Sequence, residues 1–454
     1  MEKNNFVSYK ATPFIPFPFG ADVFGGHFGD EGKGKIVDIL ARKFKEEGLK
    51  ILSVRGQGSG NAGHTVVVNG VKYDFHYLTS AGLSADIMLL GAGMLIDPIR
   101  VLEEAKKLPE DKRKIIMIDE RATLCCDLDR YMDEYIENAR KNNGSQIIGT
   151  TKSGVGPCEA FRRFRIHLTF ADVLMLENAV ELYNALIARP LIPEEIKNNI
   201  TLEYAKKLYD AIHLLNIVNS QEVITNCRNE KNWAVLLEVS QAMGLDPLWG
   251  NSGHFVTSTP CSNLGGAMGC GLTPYDFPTG SFMVLKAYSS KVGGGPYITK
   301  FTEEEADIAN FIYDEVGECG VTTGRKRDLG WFDAVAVRAA ISKTGTTNLC
   351  INCMDVIGKI PGGKAKICYA YKNKKTGDIT YTMPYNMENY EPVYDEDIDC
   401  SWNIDNAKSV EELPDATHLF IKKIEQYTGA KVNYIGNGGS NEDLIDLVPA
   451  IFNM

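Results

Sequence analysis

No stretch of this 454-residue chain stays apolar for the ~18 to 20 residues that a bilayer crossing requires, the best candidates being broken by charge or glycine. The amino terminus also lacks the charged-then-apolar pattern of a secretory signal, so the expected compartment is the cytoplasm. Basic charge is in deficit: 48 Lys and Arg stand against 59 Asp and Glu, a formal net charge of −11. General nucleic-acid binding and membrane-surface binding both need a basic field, so neither class fits, and an anionic substrate must meet a local basic pocket. The 11 cysteines follow no framework spacing, which excludes a disulfide scaffold and points to reduced thiols. Cys350 and Cys353 make one C-x-x-C pair, but without a second pair or a histidine cluster they read as buried strand cysteines rather than zinc ligands. From about Phe170 to Leu237 glycine is missing altogether, in a chain that has 43, and the charged, periodic pattern there predicts a helical layer.

Residues 1–20 hold three prolines and several phenylalanines and read as an extended arm. The rest, 21–454, is expected to form one catalytic domain, with a C-terminal region from about 345 onward. From Ala21 a short apolar run leads into GGHFGDEGKGK, and IVDILARKFKEEG then has apolar residues three and four apart: strand, glycine loop, helix. A second strand, LKILSVRG, ends in the loop GQGSGNAGHT, and Asn69-Gly70 and Thr376-Gly377 each mark a hairpin. Early strand–loop–helix units followed by later hairpins imply an α/β fold: a large, mostly parallel central sheet with a P-loop-like nucleotide site, flanking helices and antiparallel C-terminal extensions.

Gly29-Asp30-Glu31-Gly32-Lys33-Gly34-Lys35 sits where a strand meets a helix. Glycines there let backbone N–H groups approach a phosphate, and the helix N-terminus and the two lysines favour negative charge. The pattern is not GxxxxGK[ST]; its unusual member is Asp30. A carboxylate beside polyphosphate is repulsive unless a cation intervenes or it moves a proton, which suggests Mg²⁺ ligation, general-base work, or both. The loop Asn61-Ala62-Gly63-His64-Thr65 adds an amide and an imidazole suited to proton donation or oxyanion stabilisation.

The two loops in this order resemble those of the adenylosuccinate synthetase family. So do IGTTKSGVGP at Ile148 to Pro157, Arg165, Gln241 in LLEVSQ, VTS at Val256 to Ser258, LKAYSSKVGGGP, and VTTGRKRDLGW at Val321 to Trp331. The resemblance covers nearly the whole chain from about Ala21. It implies an Mg²⁺-dependent ligase that joins L-aspartate to IMP using GTP, through 6-phosphoryl-IMP. Asp30 is then the base and, with the Gly63 carbonyl, a metal ligand; His64 is the second catalytic residue. The triphosphate is expected against Gly29 to Lys35, Gly63, His64, Thr65, Arg327, Cys353, Asp355, Gly436 and Gly438. IMP is expected against Asp30, Lys33, Asn61, Thr150, Thr151, Gln241, Thr257 and Arg325, with Arg165 reaching it across a homodimer interface. Thr322, Thr323, Arg325 and Arg327 would hold aspartate, since Arg forks suit carboxylates.

The chain also departs from the family pattern. Where relatives carry Thr-Lys-Leu-Asp, it has Asn352-Cys353-Met354-Asp355, so the guanine-reading carboxylate is kept while the long cationic stem is lost. The loop Gly436-Asn437-Gly438-Gly439-Ser440 lacks the common basic or proline-bearing pattern, and Gly58-Ser59-Gly60 replaces a Gly-Gly-His or Gly-Gly-Asn triplet. ATP in place of GTP is therefore an alternative. Retention of Asp30 favours IMP over dGMP, the substrate of phage-type relatives. A nucleotide-binding regulator without turnover is the alternative from another class; intact Asp30, His64, Arg325 and Arg327 argue against it.

Overall fold

The structure, a computed structural model, describes residues 14–68, 71–251, 253–319 and 326–448. Among the described residues ten strands make the central sheet: β1 (Phe19–Gly25), β2 (Lys50–Arg55), β3 (Ile87–Leu90), β4 (Ile116–Asp119), β5 (Ile217–Val218), β6 (Trp233–Ala242), β7 (Gly280–Lys286), β8 (Asn348–Asn352), β9 (Lys431–Gly436) and β10 (Leu444–Asp446). Their order across the sheet is β10-β9-β8-β7-β1-β6-β2-β3-β4-β5. Every pairing is parallel except β9 with β10, which closes one edge antiparallel. A parallel sheet puts all its carboxyl ends along one rim, and loops leaving neighbouring strands there converge.

Helices cover both faces, so the central strands are buried on each side. In β6 successive residues alternate between two cores: Val235, Leu237 and Val239 pack on one face, Ala234 and Leu236 on the other. Helix α1 (Lys33–Glu46) presents Ile36, Val37, Leu40, Ala41 and Phe44 to the second core, the stripe expected of an amphipathic helix on a sheet.

The glycine-free stretch forms short helices from Phe170–Leu174 to Ser220–Asn229, several begun by side-chain caps from Thr169, Asn178, Thr201 and Asn219. It ends at Asn229, earlier than the Leu237 expected, because Trp233–Ala242 is the strand β6; an apolar run buried on both faces has no helix-distinguishing period. In the C-terminal part Lys364–Asn373 pairs antiparallel with Ile379–Thr380 and Tyr390–Asp399, the first turn passing through Gly377 at φ +79°. The strands flanking the other expected hairpin, His64–Val68 and Val71–Phe75, pair antiparallel, while Asn69 and Gly70 lie outside the described residues. Among the described residues no helix is long and apolar enough to cross a membrane.

Candidate active site

The carboxyl ends of β1, β2, β6 and β7 open into a cavity of about 270 Å³. Its wall includes Gly29, Asp30, Lys33, Asn61, Gly63, His64, Thr150, Thr151, Gln241, Thr257 and Arg327, so eleven of the residues named from sequence meet in one cleft. Asp133, Phe255 and Ser290 line it as well and were not among them.

The loop after β1 is shaped by three positions of positive φ within four residues: Gly29 at φ +88°, Asp30 at +54° and Gly32 at +85°. Asp30 tolerates this conformation because a short polar side chain can, and its carboxylate is 39% exposed toward the cleft. Gly32 is the N-cap of α1 and supplies no side chain to the helix N-terminus, leaving those N–H groups to a ligand. A Cβ on Gly32 would lie 2.5 Å from the Asn352 amide, which itself donates to the Glu31 carbonyl at 2.7 Å. Gly32→Ala is therefore expected to cost about 1–2 kcal/mol of stability and to weaken triphosphate binding. Melting temperature and nucleotide titration check this; a variant that melts and binds like the parent would show that the tight approach is not required.

Glu31 and Lys35 turn away from the cleft. The buried Glu31 carboxylate accepts from the backbone N–H groups of His27 (2.9 Å) and Gly29 (3.1 Å), bracing the loop from inside. Lys35 donates to the carbonyls of Gly438 (3.0 Å) and Asp443 (2.5 Å), and burial lowers its ammonium to about 8. It thereby ties α1 to the loop after β9. Cys353, at φ +60°, lies at the end of β8 beside this junction, and burial pushes its thiol up to about 11. Asp355 follows in the short helix Met354–Ile357, its carboxyl raised by burial and opposed by Lys359 and Lys35. A Cβ on Gly436 would meet the Asn352 side chain at 2.3 Å, so β8 and β9 are in close contact there. None of Cys353, Asp355, Gly436 or Gly438 lines that cavity, and Lys35 holds Gly438 through its carbonyl. The Thr65 hydroxyl is taken up by Asp74 at 2.6 Å. Arg165 is exposed at the end of helix α2 (Val155–Phe164), at φ +63°, and is not part of this chain's cavity wall. Thr322, Thr323 and Arg325 lie outside the described residues.

The residue that sequence reading missed is Glu238. Fully buried in β6, it faces His64, with Oε1 2.6 Å from Nδ1. It also accepts from the Ser80 N–H (2.7 Å) and hydroxyl (2.6 Å). Burial pushes the Glu238 carboxyl up, but the charge and hydrogen bond of His64, the nearby Arg55 and the Ser80 hydroxyl outweigh it and hold it down to about 2. Glu238 is thus ionised and Nδ1 carries the hydrogen, which aims Nε2 of His64 at the cleft. Burial pushes the imidazole below its ordinary range, against the pull of Glu238. The signal was legible: a lone carboxylate within LLEVSQ, a run otherwise fit for a core, must be paired.

Among the described residues, Nε2 of His64, Oδ1 of Asn61, both amide atoms of Gln241 and Nε of Arg327 are buried without a hydrogen-bond partner. All belong to residues of the same wall. Buried polar groups are ordinarily satisfied, so their convergence identifies a site built for a polar ligand that brings both donors and acceptors.

Comparison with known proteins agrees on one family. Residues 22–445 match the family model described as adenylosuccinate synthetase. The chain is 34% identical to the adenylosuccinate synthetase of Acetivibrio thermocellus over 440 residues, covering 93% of this chain and 98% of that one. The Bacillus cereus adenylosuccinate synthetase is 34% identical over 427 residues, with 92% and 95% covered. A solved structure of fully ligated adenylosuccinate synthetase from Plasmodium falciparum superposes with a TM-score of 0.83 at 27% identity, over 94% of this chain and 99% of that one. The cyanophage S-2L succinoaminodeoxyadenylate synthetase, solved with dGMP and dATP, has a TM-score of 0.58 at 17% identity over 95% of each chain, a likeness of fold alone.

Proposed function

The chain belongs to the adenylosuccinate synthetase family of carbon–nitrogen ligases, and on that premise we propose that it converts IMP, L-aspartate and GTP to adenylosuccinate, GDP and phosphate. One observation carries this reading: Asp30 and His64 come from different loops and line one cleft, together with the unsatisfied amide of Gln241.

Asp30 removes the N1 proton of the purine, which makes O6 nucleophilic toward the γ-phosphate. The negative charge of the bound phosphates counteracts the burial of His64 and favours its imidazolium, whose Nε2–H donates to the oxygen on which charge collects. Glu238 keeps that ring in the productive orientation. Lys33 and the open N-terminus of α1 neutralise the transferring phosphoryl group. The amine of aspartate then displaces phosphate from 6-phosphoryl-IMP. Gln241, Asn61, Thr150, Thr151 and Thr257 hold the monophosphate nucleotide; Arg327, with Thr322, Thr323 and Arg325, receives the aspartate carboxylates.

The residues present fit Mg²⁺. Asp30 offers a half-exposed carboxylate and Gly63 a carbonyl at the same wall, hard oxygen donors that leave other positions to phosphate and water. Bound there, the ion would screen charge on the triphosphate. The exposure of Arg165 outside the wall of its own cleft supports the reading that it reaches IMP across a homodimer interface.

The second reading, ATP as phosphoryl donor, is favoured by Cys353 at the position where a lysine stem is expected. Phosphate release with aspartate present, over a grid of IMP or dGMP with GTP or ATP, tests both readings. IMP with GTP should be fastest. Faster release with ATP would transfer the donor preference, and release that ignores aspartate would sink the ligase assignment.

A further inference from the structure

We propose that Glu318 is the positioning residue that sets where the Arg327 guanidinium acts, an assignment that rests on the ligase reading above. Arg327 is buried and lies between two carboxylates. Its Nη1 donates to Oε2 of Glu318 at 2.5 Å, and its Nη2 pairs with Asp30. The main chain is fastened at the same two positions: the Arg327 N–H donates to the Glu318 carbonyl at 3.1 Å, and the Tyr313 hydroxyl to the Arg327 carbonyl.

The two carboxylates differ in freedom. Glu318 is 2% exposed, and its other oxygen accepts from Lys286 Nζ and from the Tyr288 hydroxyl, both at 2.5 Å. Three donors, on Arg327, Lys286 and Tyr288, therefore hold the carboxylate in one place. Asp30 is 39% exposed, on a loop, with Arg327 as its ion-pair partner. Any change of partner at Arg327 thus happens on the Asp30 side.

With the Asp30 carboxylate engaged by a cation, Nη2 of Arg327 would be free to face the cleft, while Glu318 would keep Nη1. The guanidinium then presents a free, already aimed donor to an incoming carboxylate. Glu318 has a second effect: by holding one end of the fork it prevents Arg327 from closing on Asp30 with both. The structure thus assigns to Glu318 a role in metal affinity and in aspartate use, though it lines neither site.

The test compares the parent protein with Glu318→Gln and Tyr288→Phe, each full length. Mg²⁺ binding is read by calorimetry with IMP and a non-hydrolysable triphosphate analogue, and aspartate use by steady-state kinetics. In Glu318→Gln the amide cannot compete for the guanidinium, so Mg²⁺ affinity should fall and the KM for aspartate rise, each about tenfold, with nucleotide KM values held within about twofold. Tyr288→Phe removes one donor and no charge; it should shift both quantities in the same direction by less, and it carries the test if Glu318→Gln fails to fold. A fall in kcat and melting temperature with Mg²⁺ affinity and aspartate KM unchanged would overturn the proposal and leave Glu318 a packing residue. Absence of aspartate-dependent phosphate release in the parent protein would instead remove the ligase reading, while the Mg²⁺ titrations would still decide whether Glu318 governs the Asp30–Arg327 pair.

Discussion

Asp30→Asn should lower turnover by about 10²- to 10⁴-fold while leaving the melting temperature close to that of the parent. Asparagine is chosen because it is isosteric and accepts the left-handed backbone at φ +54°, so the loop keeps its path. What is lost is the anionic oxygen, and with it the proposed base and metal ligand together. Arg327 keeps its bond to Glu318, so the substitution does not strand a buried cation. Phosphate release under saturating IMP, GTP, Mg²⁺ and aspartate measures the effect. Turnover within tenfold of the parent would remove Asp30 from the chemistry.

Glu238→Gln is expected to be nearly as damaging to turnover and far more damaging to stability. The neutral amide can present either a donor or an acceptor to His64, so the ring is no longer compelled to keep hydrogen on Nδ1; losing such an orienting carboxylate costs up to about 10⁴ in rate. The variant also removes one of the two carboxylate charges, those of Glu238 and Glu104, that face the fully buried Arg55, and it replaces the charged acceptor of the Ser80 hydrogen bonds by a neutral amide, changes expected to cost about 1–3 kcal/mol. The pH dependence has a definite sign. Glu238 is held down to about 2 from an ordinary 4.5, so its carboxylate stabilises the fold fully above about pH 4.5 and loses that effect as pH falls toward 2. The melting-temperature gap between parent and Glu238→Gln should therefore be widest near neutrality and narrow across that acidic interval. A gap independent of pH would mean that Glu238 is not ionised in the folded protein.

These two residues illustrate what a sequence discloses. Asp30 was legible because a carboxylate amid phosphate-cradling glycines contradicts its surroundings, and the contradiction names the chemistry. His64 was legible through its loop. Glu238 sits in LLEVSQ, where Gln241 drew attention and the glutamate did not, since its partner lies 174 positions earlier and only the pairing of strands brings them together. Glu318 was missed although Arg327 lies only 9 positions on, because its neighbours in sequence do not mark it as buried and its other partners, Lys286 and Tyr288, lie 32 and 30 positions earlier. Glu31 and Lys35 belong to the phosphate-loop motif by spacing, yet their side chains brace the protein; a one-dimensional pattern does not distinguish a charge that faces a ligand from one that faces a carbonyl. For the fold, the local units were readable from period and turn residues, whereas the strand order was not: no local signal says that β6 lies between β1 and β2.

That insertion bears on how the protein is made. Ribosomes deliver β1, α1 and β2 first, but the seat between the two strands is filled only when Trp233–Ala242 arrives, pairing Phe19 with Ala234 and Lys50 with Trp233. Until then the facing edges of β1 and β2 are unpaired, and the imidazole of the second loop has no Glu238. Maturation of the pocket is thus tied to the birth of the middle of the polypeptide, and a nascent chain released early is left with sticky strands instead of a working enzyme.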